Sequence, residues 1–484
     1  MKNWHNCASL ALRHLYNFSF EFPTLSTGLE EEKILGKNSF PYFYWFAVKN
    51  AHSNILFVIQ ARRHERMRLK TILNHCCDFK HFVIGTAKFS KDKKSIEVLL
   101  RARVNSKPIC SGCEKPQPGY DRLPEKRVQF IPFWGLQVFF YYAMRRVDCK
   151  KCGVKVESVP WASGKQTLTH YYAKYLADWA KEMSWKAVAQ RFRTSWQTVY
   201  RAVEMVVAYG LAHRSVKGVE SLGIDEVSYQ SGQQYMTLVY QIDEGCRRLL
   251  WVGKKRTKKT LRRFFADMWH LDRSFRRNIK VVCTDMWKAY LHVIKEKTPH
   301  AINVLDRFHI MQKFSKALDQ IRAQEVKRLK AEGKEPVLKQ SRWCFLKRRF
   351  NLTRSQKGKL KELVDMNLNI VKAYLLKEQF HKFWEYKSPT WAGKFLNNWC
   401  ELATEAELQP MTKVAEMLQN HRELLLNYFR VKKCFNSGVV EGFNRKINLT
   451  TRKAFGFRSF SILQIALYHQ LGKLPEPTFT HEFW

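Results

Sequence analysis

The sequence is short of acidic residues. Its 484 residues include 42 Asp and Glu against 85 Lys and Arg, which gives a formal net charge of +43. The basic excess runs from about Arg62 to the end of the chain, and no single tail carries it. Because each phosphate that a protein neutralises releases a counterion, such a surplus favours a polyanion partner. The alternative is a basic protein without a specific ligand.

Long apolar runs are missing as well. The two longest candidates, residues 40–48 and 55–59, fall well short of the roughly 20 residues that a membrane-spanning helix needs. The N-terminus has neither the apolar core nor the small-residue cleavage site of a signal peptide. Internal repeats and low-complexity segments are also absent from the sequence. We therefore expect a globular cytoplasmic protein without a membrane partner.

Four of the twelve cysteines form two CxxC pairs, and the basic, long chain indicates thiols rather than a disulfide framework. Each CxxC turn can present two thiolates to one tetrahedral zinc ion, and four thiolates leave no open position for catalysis. The intervening residues 132–147 are predicted to be strands that bring the pairs together. We expect a structural zinc site that braces a DNA-contacting module, the alternative being four unrelated buried cysteines. The ligands would be Cys110, Cys113, Cys149 and Cys152.

Residues 184–207 contain two helical periods that a short break separates. Arg193 and Thr194 form the break, and Ser195 is a plausible N-cap for the second helix. This pattern predicts a helix-turn-helix whose second helix enters the major groove, although glycine is more usual at the turn. The alternative is a plain helical hairpin in a core. The exposed, base- or phosphate-contacting positions would be Gln197, Thr198 and Arg201.

Two aspartates accompany apolar strands. Asp225 lies in a strand that begins near Ser221, and residues 235–242 and 248–252 are predicted to be its antiparallel neighbours. A buried strand over 279–284 ends at Asp285. Three adjacent strands, a helix, a strand, a helix and a strand match the layout of an RNase H-like domain. That fold needs a carboxylate on its first strand, one after its fourth and one on a later helix.

Glu441 is the best candidate for the third carboxylate. Its helix can be capped by Ser437, and Asn444, Arg445 and Asn448 share its polar face. Three such acids suit Mg²⁺ or Mn²⁺, and two ions can activate an attacking oxygen and stabilise a leaving one. Clustered acids would otherwise repel one another. The alternatives are a strand-end solvent contact for Asp225, a helix cap for Asp285, and an exposed Glu441–Arg445 pair.

These assignments predict a multidomain α+β protein. An N-terminal zinc-binding module and a helix-turn-helix precede an RNase H-like α/β catalytic domain, which an all-helical insertion interrupts. Residues 1–66 are rich in aromatics, and we interpret them as upstream sequence before a true start at Met67; the alternative is a family-specific extension. The other predicted regions are 67–165 (zinc module), 166–215 (helix-turn-helix), 216–310 (first part of the catalytic core), 311–430 (insertion) and 431–484 (last part of the core with a tail).

Several blocks of sequence resemble the ISL-three-type insertion-sequence transposases of the DDE superfamily: GIDEVSY, VVCTDMWKAY, VLDRFHIMQKFSKALD and SGVVEGFNRKINLTTRKAFGFRSF. The resemblance covers about Met67 to Trp484. It implies that the catalytic acids fall on Asp225, Asp285 and Glu441. It also draws attention to an Asp-x-x-His block that ends at His309. That histidine would contact the scissile phosphate or steady the acids, unless it is a satisfied residue at a strand–helix junction.

The resemblance further implies transposition by a nucleoid-associated bacterial protein. The zinc module and helix-turn-helix would bind terminal inverted repeats, and basic residues around 445–458 would hold the DNA backbone, among them Arg445, Arg452 and Lys453. Hydrolysis would free a 3′-hydroxyl that attacks target DNA in line, within a homodimer or larger synaptic assembly. The alternatives are an RNase H-like structure-specific nuclease and a transposase-derived regulator that binds DNA without cutting it.

Overall fold

The computed structural model describes residues 69–477, apart from 78, 165, 231, 233, 335–336, 367, 432–437, 455 and 458. The chain divides into two units, Met1–Arg66 and Met67–Trp484, and every described residue belongs to the second. Two expectations therefore lie outside the described residues: the interpretation of 1–66 and the cap at Ser437.

An antiparallel hairpin dominates the cysteine-containing region. The strand structure predicted between the cysteine pairs is confirmed, and two long strands form there, Gly119–Phe133 and Leu136–Cys149. Most of the first hairpin strand is exposed and lacks alternation, so its pairing with the second strand defines it. The sheet order is β1-β2-β4-β3, with β5 paired to β4. The elements are α1 (Leu69–Cys76), β1 (Phe82–Phe89), β2 (Ser95–Ala102), β3 (Gly119–Phe133), β4 (Leu136–Cys149) and β5 (Gly153–Val156).

Three helices follow: α2 (His170–Glu182), α3 (Trp185–Arg191) and α4 (Trp196–His213). Each begins after a hydroxyl residue whose side chain accepts a hydrogen bond from a backbone N–H in the first turn, namely Thr169, Ser184 and Ser195. The predicted helical stretch, its break and the Ser195 cap are therefore confirmed.

The second sheet is mixed. Its strands are β6 (Ser221–Gln230), β7 (Gln234–Asp243), β8 (Cys246–Lys254), β9 (Val281–Thr284) and β10 (Ile302–Leu305), in the order β10-β9-β6-β7-β8. The first three form antiparallel pairs, as predicted, and β9 and β10 add in parallel. The connections contain α5 (Lys258–Leu271), α6 (Phe275–Asn278) and α7 (Lys288–Lys297). These helices share one apolar core with one face of the sheet.

An all-helical insertion leaves the sheet after β10, as predicted. Its last helix packs against β10, where Asn427 Nδ2 donates to the Asn303 carbonyl at 2.8 Å. Two short 3-10 turns interrupt it, Arg349–Asn351 and His381–Glu385. Its helices are α8 (Arg307–Ala331), α9 (Arg342–Leu346), α10 (Arg354–Val364), α11 (Asn369–Phe380), α12 (Pro389–Glu405), α13 (Gln409–Asn420) and α14 (Arg422–Arg430).

Two helices cover the other face of the sheet. The predicted final helix is α15 (Gly438–Lys453), and a further helix, α16 (Phe460–Leu471), occupies the region described above as a tail. Helix α16 packs on both α4 and β8. Because it is buried on more than one side, its sequence lacks the polar stripe that marks a surface helix. None of the described helices is long and apolar enough to span a membrane.

Candidate functional site

Three aspartates stand side by side where the parallel pairing of β6, β9 and β10 ends, directly after β9 and β10 and in the middle of β6. Ile224 of β6 pairs with Thr284 of β9, which in turn pairs with Leu305 of β10. The next residue along each strand is an aspartate, so strand register alone places them in one row: Asp225, Asp285 and Asp306. The carboxyl ends of parallel strands are where α/β proteins commonly build their sites.

Asp225 is the most enclosed acid of the predicted triad, with 4% of its surface exposed. Its Oδ1 accepts from the Glu226 backbone N–H at 2.7 Å and lies 3.6 Å from His309 Nε2. Its Oδ2 accepts from the side-chain amide of Asn444. A buried carboxylate needs such donors to remain charged, and here they come from three separate elements.

Asp285 lies immediately beyond β9. Its Oδ1 accepts from the Trp287 backbone N–H at 3.0 Å, so the alternative reading of this residue as a cap for the next turn is partly realised. Burial raises the pKa of Asp285, the charge of Asp225 raises it further, and His309 opposes the rise. The negative charge of Asp225 therefore acts on Asp285, which favours a cation between the two carboxylates.

His309 lies in the first turn of α8 and faces the aspartates. Its Nε2 is 3.6 Å from Asp225 Oδ1 and 3.9 Å from Asp306 Oδ2. Burial lowers its pKa, but contact with Asp225 and the charges of Asp306 and Asp285 outweigh burial and raise the pKa to about 9. At neutral pH the ring is therefore cationic and balances part of the acidic charge.

Helix α15 reaches β6 because a glycine faces it. A Cβ on Gly223 would lie 2.9 Å from Val440 Cγ2 and 3.1 Å from Ile242 Cγ2, which is closer than real contacts allow. One turn later, Phe443 stacks on Tyr240 with ring centroids 4.5 Å apart and planes 8° apart. This close packing sets the height of α15 above the strand that carries Asp225.

Asn444 is a functional residue that the sequence did not single out. Its amide donates to Asp225, and its own Oδ1 accepts from the Tyr240 hydroxyl at 3.4 Å. Tyr240 is fully buried, so the acceptor side of the amide is held and its NH₂ group points at the aspartate. The only signal in the sequence was its position one turn beyond Glu441 on the same polar face.

Glu441 lies in the first turn of α15, and its Oε1 accepts from Arg445 at 2.6 Å. The ion pair that was the alternative reading of this residue is thus present. Among the residues that the structure describes, one group of three or more His, Cys, Asp or Glu has all its ligand atoms within 4.8 Å of one another, and it is the cysteine cluster. The acids are gathered less tightly.

Glu226 and Arg256 form a second, unforeseen feature on the opposite face of β6. They are ion-paired, and the Arg256 guanidinium lies 4.1 Å from the Tyr235 ring centre and 4.7 Å from that of Trp287. Burial raises the pKa of Glu226, with smaller contributions from Asp285 and Asp225, while Arg256 lowers it. Arg256 thus offsets a carboxylate beside the acidic site.

The four cysteines of the predicted zinc site converge. Their Sγ atoms all lie within 4.8 Å of one another, and Cys113 Sγ is 3.6 Å from Cys149 Sγ. Gly112 is needed in the first CxxC turn, since a Cβ there would lie 3.0 Å from Cys152 Sγ. The expectation that strands bring the two pairs together is confirmed, because the second pair follows the end of β4.

The helix-turn-helix presents α4 to solvent. Arg193 adopts the left-handed conformation, with φ of 50°, at the position where glycine is usual. Gln197 and Arg201 are exposed. Thr198 is partly buried, and its Oγ1 lies 2.9 Å from Ser195 Oγ, so its hydroxyl already takes part in the cap.

The three basic residues predicted to hold DNA lie on α15 and are all exposed, Arg445 in the middle of the helix and Arg452 and Lys453 in its last turn. Arg445 is paired with Glu441. Lys453 Nζ donates to the Glu182 carbonyl at 2.7 Å, which ties α15 to the end of α2. Arg452 has no ion pair with any described residue. Arg445 thus adjoins Glu441, and Lys453 adjoins the helix that precedes the helix-turn-helix.

Comparison with known proteins agrees with this division. Residues 222–467, more than half of the chain, match the ISL3 family described as transposase. Residues 157–207 match the helix-turn-helix domain of transposase family ISL3. The second match contains α3 and most of α4, and the first contains both sheet aspartates, His309 and α15.

Individual relatives are also similar over most of their length. The transposase for insertion sequence element IS1001 from Bordetella parapertussis is 29% identical over 353 residues, or 72% of this chain and 85% of the relative. The transposase for IS1557 from Mycobacterium tuberculosis is 28% identical over 425 residues, or 82% and 94%. The solved Drosophila P element transposase strand transfer complex is 11% identical with a TM-score of 0.33, over 63% of this chain and 92% of that one. On the family matches, this chain belongs to the ISL3 family of insertion-sequence transposases.

Proposed function

We propose that this transposase cleaves and joins DNA with a triad of Asp225, Asp285 and Glu441. One observation carries the proposal: three distant segments meet beside Asp225, where the parallel pairing of β6 with β9 ends. Asp225 follows the last paired residue in the middle of β6, Asp285 follows β9 directly, and α15, which holds Glu441, bonds to Asp225 through Asn444. Glu441 lies one turn before Asn444, so both residues are on the same side of the helix.

The donor set suits magnesium or manganese. Carboxylate oxygens are the hard ligands that these ions take. Burial is the main cause of the raised pKa of Asp285, and the charge of Asp225 adds to it, a repulsion that a cation would offset. When bound, such ions activate the attacking oxygen and stabilise the leaving one. Glu441 has to leave Arg445 to join the other two acids. Breaking the Glu441–Arg445 pair costs little free energy, because an exposed pair four residues apart on a helix is weak.

The protein's own groups prepare the site for phosphate chemistry. Asn444 and the Glu226 backbone N–H fix the rotamer of Asp225. The cationic His309 contacts Asp225 and steadies it, and it offers a positive group where a phosphate oxygen would lie. Hydrolysis of a phosphodiester at the element's end frees a 3′-hydroxyl, which then attacks a target phosphate in line.

The cysteine cluster suits zinc. Four Sγ atoms within 4.8 Å of one another match tetrahedral thiolate coordination, which leaves no position for a substrate. The thiolates would close the β4–β5 turn against the loop before β3 and so fix the shape of the first sheet. We assign this module and the helix-turn-helix to recognition of the terminal inverted repeats, with Gln197 and Arg201 reaching the DNA.

We further propose that the second sheet is an RNase H-like core. Numbered within the domain, its strands lie in the order third, second, first, fourth, fifth, with three antiparallel members followed by two parallel ones. The acids occupy the first strand, the end of the fourth and a later helix. We retain the regions 67–165, 166–215, 216–310, 311–430 and 431–484 as functional divisions, and we propose a homodimer or larger assembly that brings two ends together.

The test is Asp225→Ala, compared with Glu244→Ala in the exposed β7–β8 turn. We expect Asp225→Ala to lose cleavage of a labelled inverted-repeat duplex while retaining its binding. Glu244→Ala should cleave normally. Retained cleavage by Asp225→Ala would overturn the assignment. A strand-transfer assay with a pre-cut end then separates a transposase, which joins the end to target DNA, from a nuclease, which does not.

A further inference from the structure

The helical insertion contains a strongly basic segment that has no part in the proposed catalytic site. Residues 337–361, called here the basic segment, include nine Lys and Arg and no Asp or Glu. They span α9, the 3-10 turn Arg349–Asn351 and most of α10. The exposed cations of the segment include Arg342, Arg348, Arg349, Arg354, Lys357 and Lys361.

Most of these cations have no acidic counterpart among the residues that the structure describes. Arg342 pairs with Asp319 at 3.2 Å. Arg348, Arg349 and Arg354 make no ion pair with any of the described residues. Like charges that are held together without counter-charge raise the local positive potential, and such a surface attracts a polyanion.

Aromatic rings lie open among the cations. Trp343 is 52% exposed and Phe350 71% exposed, although both are types that normally bury. The Arg342 guanidinium lies 5.5 Å from the Trp343 ring centre, and that of Arg348 lies 5.8 Å from Phe350. Exposed rings interleaved with arginines are typical of surfaces that bind single-stranded nucleic acid, so they favour a nucleic acid over other polyanions.

The positive surface continues to the acidic site. Arg307 follows Asp306 directly and begins α8, and its guanidinium lies 5.1 Å from the Trp384 ring centre. Burial lowers the pKa of Arg307, and the nearby charge of Arg348 lowers it further. Arg348 therefore lies close enough to Arg307 for the two charges to act as one patch, which ends two residues before His309.

The two basic regions lie on opposite sides of the acids. The helix-turn-helix packs through α4 and α16 on the β8 side of the second sheet, whereas the insertion packs on β10 at the other edge. The aspartates lie between them, directly after β9 and β10 and in the middle of β6. A duplex held by the helix-turn-helix and crossing the acids would therefore run on towards the insertion.

We propose that the basic segment, together with Arg307, binds the DNA that flanks the transposon end, on the far side of the reacting phosphate from the inverted repeat. The occupant is the continuation of the same duplex, because one continuous molecule accounts for both basic surfaces. The arginines contact the phosphate backbone and the open rings pack against the sugars beside it. This inference rests on the proposed function, since it takes the acids as the point where the strand is cut.

The experiment measures binding of the full chain without divalent ions, by fluorescence anisotropy. Two duplexes are used: the inverted repeat with about two helical turns of flank, and the same repeat ending at the cleavage position. The variant is the double substitution Arg348→Ala with Arg349→Ala. We expect its affinity for the flanked duplex to fall about tenfold, and the slope of log K against log salt to become shallower by about two.

Binding of the repeat without flank should stay unchanged in that variant. A matched control removes two exposed lysines from other helices of the insertion, Lys394→Ala with Lys413→Ala, and should leave both duplexes unaffected. Equal loss on both duplexes would overturn the proposal, as would no loss on either. Loss confined to joining of a pre-cut end to target DNA would also overturn it, in favour of target binding.

The binding readout does not depend on catalysis. If these acids are not the catalytic residues, Asp225→Ala will cleave DNA normally. The affinity of the double variant for the flanked duplex will still test this inference. Conversely, an inactive Asp225→Ala protein with an unchanged flank affinity in the double variant would leave the proposed function standing and remove this inference.

Discussion

The cysteine cluster and the acidic site gather their side chains from the chain in different ways. The four thiols come from turns of one sheet and lie within 4.8 Å of one another. The acids come from two strands and from a helix whose Asn444 is 219 residues from Asp225. The four thiols of the first site lie next to one another, whereas each acid of the second site is hydrogen-bonded or ion-paired to another group of the protein.

This difference matches the two tasks that we propose for the sites. A structural ion closes its site and stays, so a ligand set that is already assembled is an advantage. A catalytic site must exchange partners as DNA and metal enter. Hydrogen bonds to Asp225 and the Arg445 partner of Glu441 keep the acids satisfied until then. Substitutions at the cysteine cluster are therefore expected to change folding, and substitutions at the acidic site to change the cleavage rate.

The largest effect is expected at the assembled site. Replacing one ligand, Cys149→Ser, should release zinc and destabilise the first sheet by roughly 4 kcal/mol, because metal binding and folding of such a site are coupled. Zinc content by elemental analysis and thermal unfolding measure it. The partly exposed Cys246, which lies outside the cluster, provides the control variant Cys246→Ser. Unchanged zinc content in Cys149→Ser would contradict the assignment.

The acidic site should respond in rate rather than in folding. Asn444→Ala removes the donor to Asp225 and is expected to lower the cleavage rate about 10- to 100-fold, as for residues that orient metal ligands. The divalent-ion concentration for half-maximal rate should rise, and repeat binding should persist. Asn448→Ala, on the exposed face one turn further, is the control. Equal rates in both variants would show that Asn444 does not position the acid.

The packing that brings the helix to the strand can be tested separately. Gly223→Ala adds a Cβ 2.9 Å from Val440 Cγ2, so we expect a loss of about 1–3 kcal/mol in the free energy of unfolding. Gly442→Ala is a matched control in α15, because nothing lies within 4 Å of its Cβ position. It should be neutral or slightly stabilising. Denaturant unfolding compares them, and equal stability would mean that α15 does not need this glycine.

The smallest effect is expected at the exposed ion pair. Arg445→Ala should cost only about 0.3–0.5 kcal/mol, the usual value for a pair four residues apart on a helix. If Arg445 also holds a phosphate, the salt slope of DNA binding should become shallower by about one. A stability loss as large as that of Gly223→Ala would show that Glu441 is held firmly in its ion pair.

Much of the site could be predicted because its residues follow strong local signals. Asp225 and Asp285 stand in or directly after short apolar strands, and Ser195 precedes an apolar helical period, so strand, helix and cap were all readable. The CxxC pairs specify their own turns. The resemblance to a known family added His309, whose Nε2 lies 3.6 Å from Asp225 Oδ1 in the structure.

The parts that escaped prediction depend on distant neighbours. The first half of β3 is exposed and polar and becomes a strand only through its pairing with β4. Helix α16 has no polar stripe, since α4 and β8 cover it from different sides. The sequence around Asn444 does not indicate that this residue contacts Asp225. Glu226 is paired only in the folded chain, where it meets Arg256, which follows β8. Such contacts are tertiary, and periodicity does not report them.

The late position of α15 in the chain has a consequence during translation. Ribosomes release β6 and the helix-turn-helix long before α15 emerges, because the two ends of the Asn444–Asp225 contact are 219 residues apart. A nascent or prematurely terminated chain thus carries its DNA-recognition helices without the segment that completes the acidic site. If the proposed triad is catalytic, such a fragment keeps these helices but lacks the acid of α15, and it would not cut DNA.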